Sequence, residues 1–162
     1  MPEGGAALDL GCGAGEPIAR YLIDAGYSVT GMDYAAPMIE IARARLPAAR
    51  WIAGDMRDLA LGEAFDGVIG WDSFFHLTMA EQRALLPKLA AHIAPGGALM
   101  LTVGPEAGET AGMVEGEAVY HASLDPDEYR TILTREGFAD IVFVAEDPDC
   151  DFHSILLASK RS

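Results

Sequence analysis

The sequence predicts an α/β fold, a doubly wound sheet of mostly parallel strands with helices on both faces. Short apolar runs alternate with segments of helical periodicity along most of the chain, and this alternation is typical of parallel sheets. The chain has 162 residues, of which 51% are hydrophobic. This length and composition favour a single domain over residues 1–162 with a sizeable buried core.

The first half of the chain predicts four strands with helices between them. The strands are predicted from the apolar runs at 6–11, 27–33, 49–55 and 65–71. The second and third of these runs end in an aspartate. Apolar residues at helical spacing predict helices over 14–25 and 37–46, and Pro17 and Pro37 lie in their first turns, where a missing N–H costs little.

The next segment predicts a long helix and a fifth strand. Thr78 and Glu81 form a capping-box pattern, so the helix is expected to begin there and to run towards the sequence APGG at 94–97. Pro87 falls inside it and predicts a kink or two shorter helices. The apolar run at 98–104 predicts the strand that follows.

The last third predicts a loop, a helix and two strands. Residues 104–122 are rich in glycine and glutamate without clear periodicity, which predicts a mobile loop. Asp125 and Pro126 are typical of a helix N-cap and first turn. The runs at 140–146 and 153–159 are joined by a turn-rich segment and predict an antiparallel hairpin.

The charge balance limits the classes of partner. There are 25 acidic residues against 11 basic ones, for a net charge of −14, and such a surface repels phosphate backbones. We therefore expect no nucleic-acid partner and a small-molecule substrate. The sequence contains no apolar run near the about 20 residues that span a bilayer, and no pattern typical of a signal peptide. A cytoplasmic protein without a membrane partner is predicted.

The cysteines and the acidic turn near the C-terminus predict no metal site. Cys12 and Cys150 lack the spacing of metal ligands and are interpreted as two reduced thiols. Asp149, Asp151 and His153 are close in sequence, but they lie on a turn that is expected to be far from the ligand-binding edge of the sheet. No role is predicted for His153.

A glycine-rich stretch, LDLGCGAGEP, follows the first predicted strand. Ligands of doubly wound folds bind at the carboxyl ends of the strands, and glycines let a ligand approach the backbone closely. A dinucleotide, a phosphate and a sulfonium nucleoside all remain conceivable. The dinucleotide pattern G-x-G-x-x-G, however, has Glu16 at its sixth place here. This acid favours a ligand with a carboxylate and a cationic centre but no pyrophosphate.

Two acidic residues follow the next two strands. Asp33 lies 22 residues beyond Gly11 and is placed to accept hydrogen bonds from ribose hydroxyls. Asp55 precedes Met56, and a carboxylate beside an apolar side chain suits the amine and the face of adenine. Each acid alone is more typical of a solvated loop or a helix cap than of a ligand contact. Together with the glycine loop, they point to an adenosine-containing ligand.

These residues carry a family resemblance. The segments LDLGCGAG, GMDYA, AGDMRDL, FDGVIGWDSFFHL, APGG and LMLTV resemble class I S-adenosylmethionine-dependent methyltransferases over essentially the whole chain. The resemblance implies a Rossmann-like seven-stranded sheet of order 3-2-1-4-5-7-6 with strand 7 antiparallel. It also implies methyl transfer from S-adenosylmethionine to a small molecule, with S-adenosylhomocysteine as product. Two departures are visible: Ala35-Ala36 replaces the usual Ser or Thr, and the N-terminal helices that family members carry before strand one are missing from this sequence.

The resemblance also implies a role for individual residues. The loop from Gly11 to Gly15 would pass under the methionine part of the cofactor, and Asp9 would support the loop and approach the cofactor's amino group. Asp33 would hold the ribose and Asp55 the adenine amine. The complete predicted cofactor set is Asp9, Gly11, Cys12, Gly13, Gly15, Asp33, Tyr34, Asp55, Met56, Trp71 and Asp72. Trp71 and Asp72 would border the methionine tail and the substrate entrance.

The sequence gives only candidates for the acceptor side. Methyl transfer from a sulfonium depends mainly on positioning, and a general base is needed only if the acceptor arrives protonated. The candidates for acceptor contact are Trp71, Phe74, Phe75, His76, Tyr120 and His121. Among them, His76, Tyr120 and His121 are the candidate catalytic residues, although a packing role for His76 is the stronger alternative.

Two other functions stay open. An NAD-dependent oxidoreductase is disfavoured by Glu16 and by Asp55. A non-catalytic or truncated module that binds S-adenosylmethionine or S-adenosylhomocysteine is compatible with the missing N-terminal cover, because such segments often complete active sites. Binding and turnover measurements separate these alternatives. The acceptor and the oligomeric state stay open, and an oligomer is compatible with the sequence.

Overall fold

The computed structural model describes residues 1–114 and 117–162. The strands are Ala6–Leu10 (β1), Ser28–Asp33 (β2), Arg50–Ala53 (β3), Phe65–Gly70 (β4), Ile93–Val103 (β5), Gly108–Val114 (β6), Glu117–Ser123 (β7), Phe138–Asp147 (β8) and His153–Lys160 (β9). The α-helices are Ile18–Asp24 (α1), Ala36–Arg45 (α2), Met79–Ala91 (α3) and Pro126–Arg135 (α4). Short 3₁₀ helices cover Met56–Asp58, Phe74–His76 and Pro148–Cys150.

Seven strands form one sheet in the order β3-β2-β1-β4-β5-β9-β8. Strands β1 to β5 are parallel to one another, whereas β9 runs antiparallel to both β5 and β8. When the separate hairpin β6–β7 is left out of the count, this order is 3-2-1-4-5-7-6 with the last strand antiparallel. The α/β fold predicted from the sequence is confirmed.

The core lies on both faces of the sheet, which explains the continuous apolar runs of the parallel strands. Leu8 and Leu10 of β1 pack in one cluster with residues of α3 and α4. Ala7, which points to the opposite face, packs in a second cluster with residues of α1 and α2. Because both faces are covered, the sheet presents its ligand-binding edge only at the strand ends.

The capping box of the long helix is present. Thr78 Oγ1 accepts a hydrogen bond from the Glu81 amide, and the Glu81 carboxylate accepts one from the Thr78 amide at 2.8 Å. The helix is continuous through Pro87, so the alternative of two shorter helices is wrong. Pro87 lies on the exposed face, where water can hydrate the backbone carbonyl that loses its partner. The first helix is shorter than predicted, since α1 starts at Ile18 and Pro17 stands at its N-cap.

The predicted mobile loop at 104–122 is wrong for most of the residues that the structure describes. Residues 104–107 have no regular structure, whereas 108–114 and 117–122 belong to the antiparallel hairpin of β6 and β7, paired from Gly108 with Ser123 to Val114 with Glu117; residues 115 and 116 lie outside the described residues. A buried Gln82 anchors the hairpin, because its Nε2 donates to the Ala122 carbonyl at 2.8 Å. This contact spans 40 residues, so no local pattern could signal it.

Among the helices of the described ranges, none combines the length and the apolar character needed to span a bilayer.

Candidate active site

The glycine loop is held at the ends of β2 and β4. The amides of Gly11 and Cys12 donate to the Met32 carbonyl at 2.7 and 3.1 Å. Gly11 has φ +78°, and a Cβ at this position would lie 2.2 Å from the Cβ of Ser73. Ser73 in turn donates from its hydroxyl to the Leu10 carbonyl at 2.6 Å. A glycine is therefore required at position 11 both by its backbone angle and by its closest neighbour.

Asp33 connects the glycine loop to the end of β2. One carboxylate oxygen accepts from the Gly13 amide and the other from the Ala35 amide, both at 2.8 Å. Each oxygen retains acceptor capacity, since a carboxylate offers about four lone-pair sites. Helix α2 has no side-chain cap at Ala35, the position of the departure from the family pattern. The Asp33 carboxylate accepts a hydrogen bond from the Ala35 amide instead.

Asp33 lines a cavity of about 390 Å³ at the carboxyl ends of β1 to β4. Its lining residues are Gly11, Met32, Asp33, Tyr34, Gly54, Asp55, Met56, Arg57, Asp72, Ser73, His76, Leu77 and Glu81. The sequence-predicted residues at three successive strand ends therefore meet at one cavity. Met56 and the exposed ring of Tyr34 supply apolar surface beside the two carboxylates of Asp33 and Asp55.

The Asp55 carboxylate accepts hydrogen bonds from Arg57, a residue that no sequence pattern singles out. Its Nε lies 2.9 Å from Asp55 Oδ1, and its NH1 lies 2.8 Å from a Glu81 oxygen. The hydrogen bonds from the Arg57 side chain hold the pKa of Asp55 below its usual range. Asp55 is thus an ionised acceptor, but a ligand amine has to share its oxygens with Arg57.

A smaller cavity of about 200 Å³ lies on the other side of the glycine loop, towards α1. It is lined by Asp9, Gly11, Cys12, Gly13, Glu16, Pro17, Ile18, Trp71 and Asp72. Asp9 is 2% exposed, and its burial together with the nearby charge of Asp33 raises its pKa to about 7. Burial, with Asp9 and Asp33 close by, also raises the pKa of the Cys12 thiol. Cys12 is consequently an unreactive thiol in the wall of this cavity.

Gly15 has a packing role in the structure. It has φ +85°, and a Cβ there would lie 2.9 Å from Cη2 of Trp51. Gly15 therefore faces the core between β3 and α2, whereas Gly11 and Gly13 line the cavity.

The β8–β9 turn reaches the end of β4, so the expectation that it lies far from the ligand-binding edge is wrong. Nε2 of His153 lies 2.8 Å from Oδ1 of Asp72, and the ring of Trp71 lies 5.0 Å from the His153 ring. Asp72 adopts φ +49°, and its amide donates to Thr102 Oγ1 at 2.8 Å. The antiparallel pairing of β9 with β5 brings His153 to this position, which its separation of 81 residues from Asp72 conceals in the sequence.

A third cavity, the large cavity, has a volume of about 490 Å³ and lies between the end of β5, the hairpin and the β8–β9 turn. Its lining residues are Phe75, residues 103–110, His121, Ala122, Ser123, Glu146, Asp151, Phe152, His153 and Ser154. His153 contributes to this cavity, and its partner Asp72 contributes to the two cavities at the glycine loop. The His153–Asp72 pair therefore lies at the boundary between the large cavity and the two cavities at the glycine loop.

The three candidate catalytic residues come together beside this boundary. The rings of His76 and His121 lie 5.0 Å apart, and Nδ1 of His76 donates to the Tyr120 carbonyl at 3.1 Å. Burial, and secondarily the neighbouring His76, lowers the pKa of His121, so His121 is a neutral imidazole at physiological pH. The pKa of Tyr120 is raised by desolvation and by Glu109. Of the three, His121 lines the large cavity in a form able to accept a proton.

Comparison with known proteins agrees with the family resemblance. A family model described as a methyltransferase domain matches residues 7–97, more than half of the chain. The chain therefore belongs to this family, the class I S-adenosylmethionine-dependent methyltransferases, as the motifs indicated.

Individual relatives differ in what they methylate. A dTDP-3-amino-3,6-dideoxy-alpha-D-glucopyranose N,N-dimethyltransferase of Streptomyces fradiae is 39% identical over 102 residues, covering 62% of this chain and 40% of the relative. A malonyl-[acyl-carrier protein] O-methyltransferase of Pseudescherichia vulneris is 34% identical over 98 residues, covering 60% and 38%. The alignments thus span only about two fifths of these relatives' length.

Solved structures share the whole fold. The S-adenosylmethionine-bound amino pentose methyltransferase from Micromonospora echinaspora, involved in calicheamicin biosynthesis, superposes with a TM-score of 0.77 over 99% of this chain and 85% of that chain. Its sequence identity is 24%, so this similarity concerns the fold. The family match ends at residue 97, before most of the residues that line the large cavity.

Proposed function

We propose that this protein transfers a methyl group from S-adenosylmethionine to a small molecule. The observation that carries the proposal is the meeting of the glycine loop, Asp33 and the Asp55–Met56 pair at one cavity of about 390 Å³. Family membership supports the reaction class, and the acceptors named for the relatives include both amino sugars and a carrier-bound malonyl group. The acceptor has to be argued from the chain itself.

The residues present suit S-adenosylmethionine, which supplies a methyl group already activated on a sulfonium. Asp33 has lone pairs left for two ribose hydroxyls, and Tyr34 and Met56 offer apolar surface for adenine. In the smaller cavity, the Asp9 carboxylate suits an ammonium group, while the Glu16 carboxylate already pairs with Arg20 and Arg45. At Gly13 a Cβ would meet no atom within 4 Å, so this part of the loop leaves open space for a ligand.

On the acceptor side, residues of the chain position the acceptor and remove its proton. Asp72 and Trp71 form the wall at the end of β4 that separates the glycine loop from the β8–β9 turn. An acceptor in the large cavity can approach across this wall, and His121 can take its proton when the acceptor atom carries one. Exclusion of water and orientation supply most of the rate, because the leaving group is already good.

Two measurements test the proposal. Calorimetry should show binding of S-adenosylhomocysteine and none of NAD⁺; the reverse result would replace the methyltransferase with an oxidoreductase. Release of S-adenosylhomocysteine should then be followed across a panel of amine, hydroxyl, thiol and carboxylate acceptors. Cofactor binding without turnover on any acceptor would favour the non-catalytic module. The cytoplasmic location and the absence of a nucleic-acid partner stay predictions from composition.

A further inference from the structure

We propose that the large cavity takes a small primary or secondary amine that is cationic in solution and carries no phosphate or carboxylate group. The inference rests on the proposed function and specifies its acceptor. It is argued from the position of the cavity, the nature of its walls and the charge at its rim.

The position of the cavity makes it the acceptor site. His153 lines it, and the Asp72 carboxylate that His153 contacts at 2.8 Å lines both cavities at the glycine loop. The His153–Asp72 pair therefore links the wall of the large cavity to the walls of the predicted cofactor site. A volume of about 490 Å³ is in the range of small-molecule sites.

The walls suit a compact organic group with a cationic end. Phe75 and His121 stack edge to face at 4.8 Å, and Phe152, which is 69% exposed, also lines the cavity. Aromatic faces attract ammonium groups as well as apolar surface. The buried hydroxyl-bearing residues Ser123 and Ser154 add polar atoms deeper in the walls.

The rim carries uncompensated negative charge. Four acidic residues line the cavity: Glu106, Glu109, Glu146 and Asp151. Within the described ranges, no lysine or arginine lines the cavity or forms an ion pair with any of the four. Opposite charges attract and like charges repel more strongly near a protein surface than in water. The rim therefore attracts an ammonium group and repels a phosphate.

This charge separates the chain from its nucleotide-sugar relatives. A dTDP-amino sugar brings a diphosphate, which four carboxylates disfavour and which no cationic side chain of the described cavity lining offsets. The residues concerned lie beyond residue 97, where the family match ends. Similarity in the cofactor half thus allows a different acceptor.

The groups present account for every proton and electron pair in the proposed methyl transfer. His121 takes one proton from the bound ammonium, which leaves a neutral amine with a free electron pair. This pair forms the new N–C bond to the methyl carbon while the C–S bond breaks, and the electrons of that bond stay on sulfur. The products are an N-methylammonium and S-adenosylhomocysteine, and His121 returns its proton to water.

Matched acceptors test the proposal. Turnover should be measured with tyramine against tyrosine and with D-glucosamine against D-glucosamine 6-phosphate, within a wider panel of small amines and their hydroxyl analogues. We expect turnover confined to amines that lack an anionic group. Turnover of phosphorylated, carboxylated or hydroxyl acceptors at equal or higher kcat/KM would overturn the assignment. Failure of every amine, in protein that binds S-adenosylhomocysteine by calorimetry, would overturn it as well and leave cofactor binding intact.

Charge variants give a second readout. In the double variant Glu106→Gln, Glu146→Gln, the KM for the best amine should rise about three- to tenfold with little change in kcat. Added salt should reduce the difference between the variant and the wild type. Asp24→Asn, a charge change at the end of α1, is the matched control and should leave KM unchanged. An equal KM in the double variant and the control would show that the rim charge does not select the acceptor.

Discussion

Nε2 of His153 lies 2.8 Å from Oδ1 of Asp72, while Nδ1 of the same ring lies 2.8 Å from the Cys150 carbonyl oxygen. Both ring nitrogens therefore face oxygen atoms that only accept hydrogen bonds. The imidazole is held between these two oxygens. It connects the β8–β9 turn, which borders the large cavity, to the end of β4, which borders the glycine loop.

Replacement of His153 by alanine should affect the acceptor more than the cofactor. The loss of the imidazole frees the turn that carries Asp151 and Phe152, so kcat/KM for the acceptor should fall. We expect a fall of only about fivefold, because the Asp72 side chain is half exposed and solvent weakens its contact with His153. Steady-state kinetics and calorimetry with S-adenosylhomocysteine measure the two effects. Unchanged acceptor kinetics, or a selective loss of cofactor affinity, would contradict a role in joining the two cavities.

The cofactor half of the site could be predicted because its signals are local. The glycine loop, Asp33 and Asp55 each follow directly on an apolar run, and a parallel sheet brings all strand ends to one edge. The helix caps Thr78 and Asp125 are equally local. These features depend on a few neighbouring residues and on the general geometry of the fold.

The acceptor half could be predicted only in part, through the candidates Phe75 and His121, because the rest is built from distant contacts. The hairpin lacks alternation in its sequence and depends on Gln82, which lies 40 residues from Ala122. His153 reaches Asp72 only through the antiparallel strand β9. The role of Arg57 could not be predicted for another reason. An arginine two residues from an acid is common in loops, and nothing in the sequence marks Arg57 as the partner of Asp55.

Asp33→Ala should weaken the binding of S-adenosylhomocysteine by about 1.5–3 kcal/mol, the cost of losing hydrogen bonds to a charged group. The structure adds a second reason, because the carboxylate also accepts from the Gly13 and Ala35 amides at 2.8 Å. Asp33→Asn keeps one acceptor and should lose less. Calorimetry on folded variants checks both, and wild-type affinity in Asp33→Ala would remove Asp33 from the cofactor site.

Gly11→Ala should destabilise the fold more than a glycine replacement in open space. The new Cβ would lie 2.2 Å from Ser73 Cβ, so the buried contact between the ends of β1 and β4 has to move. Gly62→Ala is the matched control, because Gly62 has a similar φ of +70° but no atom within 4 Å of a Cβ. The control should cost about 1–2 kcal/mol and Gly11→Ala at least about 1 kcal/mol more. Equal urea midpoints would show that the clash relaxes at no cost.

The stability of the protein should depend on pH through Asp9. Burial raises the pKa of Asp9 from 3.8 to about 7, so between these values the folded state binds a proton that the unfolded state has lost. The free energy of unfolding therefore contains a favourable contribution below about pH 4 that is lost as the pH rises through 7. In Asp9→Asn this contribution does not titrate. The advantage of Asp9→Asn over the wild type should grow across this window and level off above it, reaching on the order of 4 kcal/mol.

Urea unfolding of the wild type and Asp9→Asn at a series of pH values measures this difference directly. Parallel stability curves for the two proteins would refute the assignment of the titration to Asp9. A cation bound in the small cavity should oppose the effect, since it stabilises the ionised carboxylate. The affinity for S-adenosylhomocysteine, which carries an ammonium group, should accordingly increase as the pH rises past 7 in the wild type. Asp9→Asn should lose this increase, because its side chain has no proton to release.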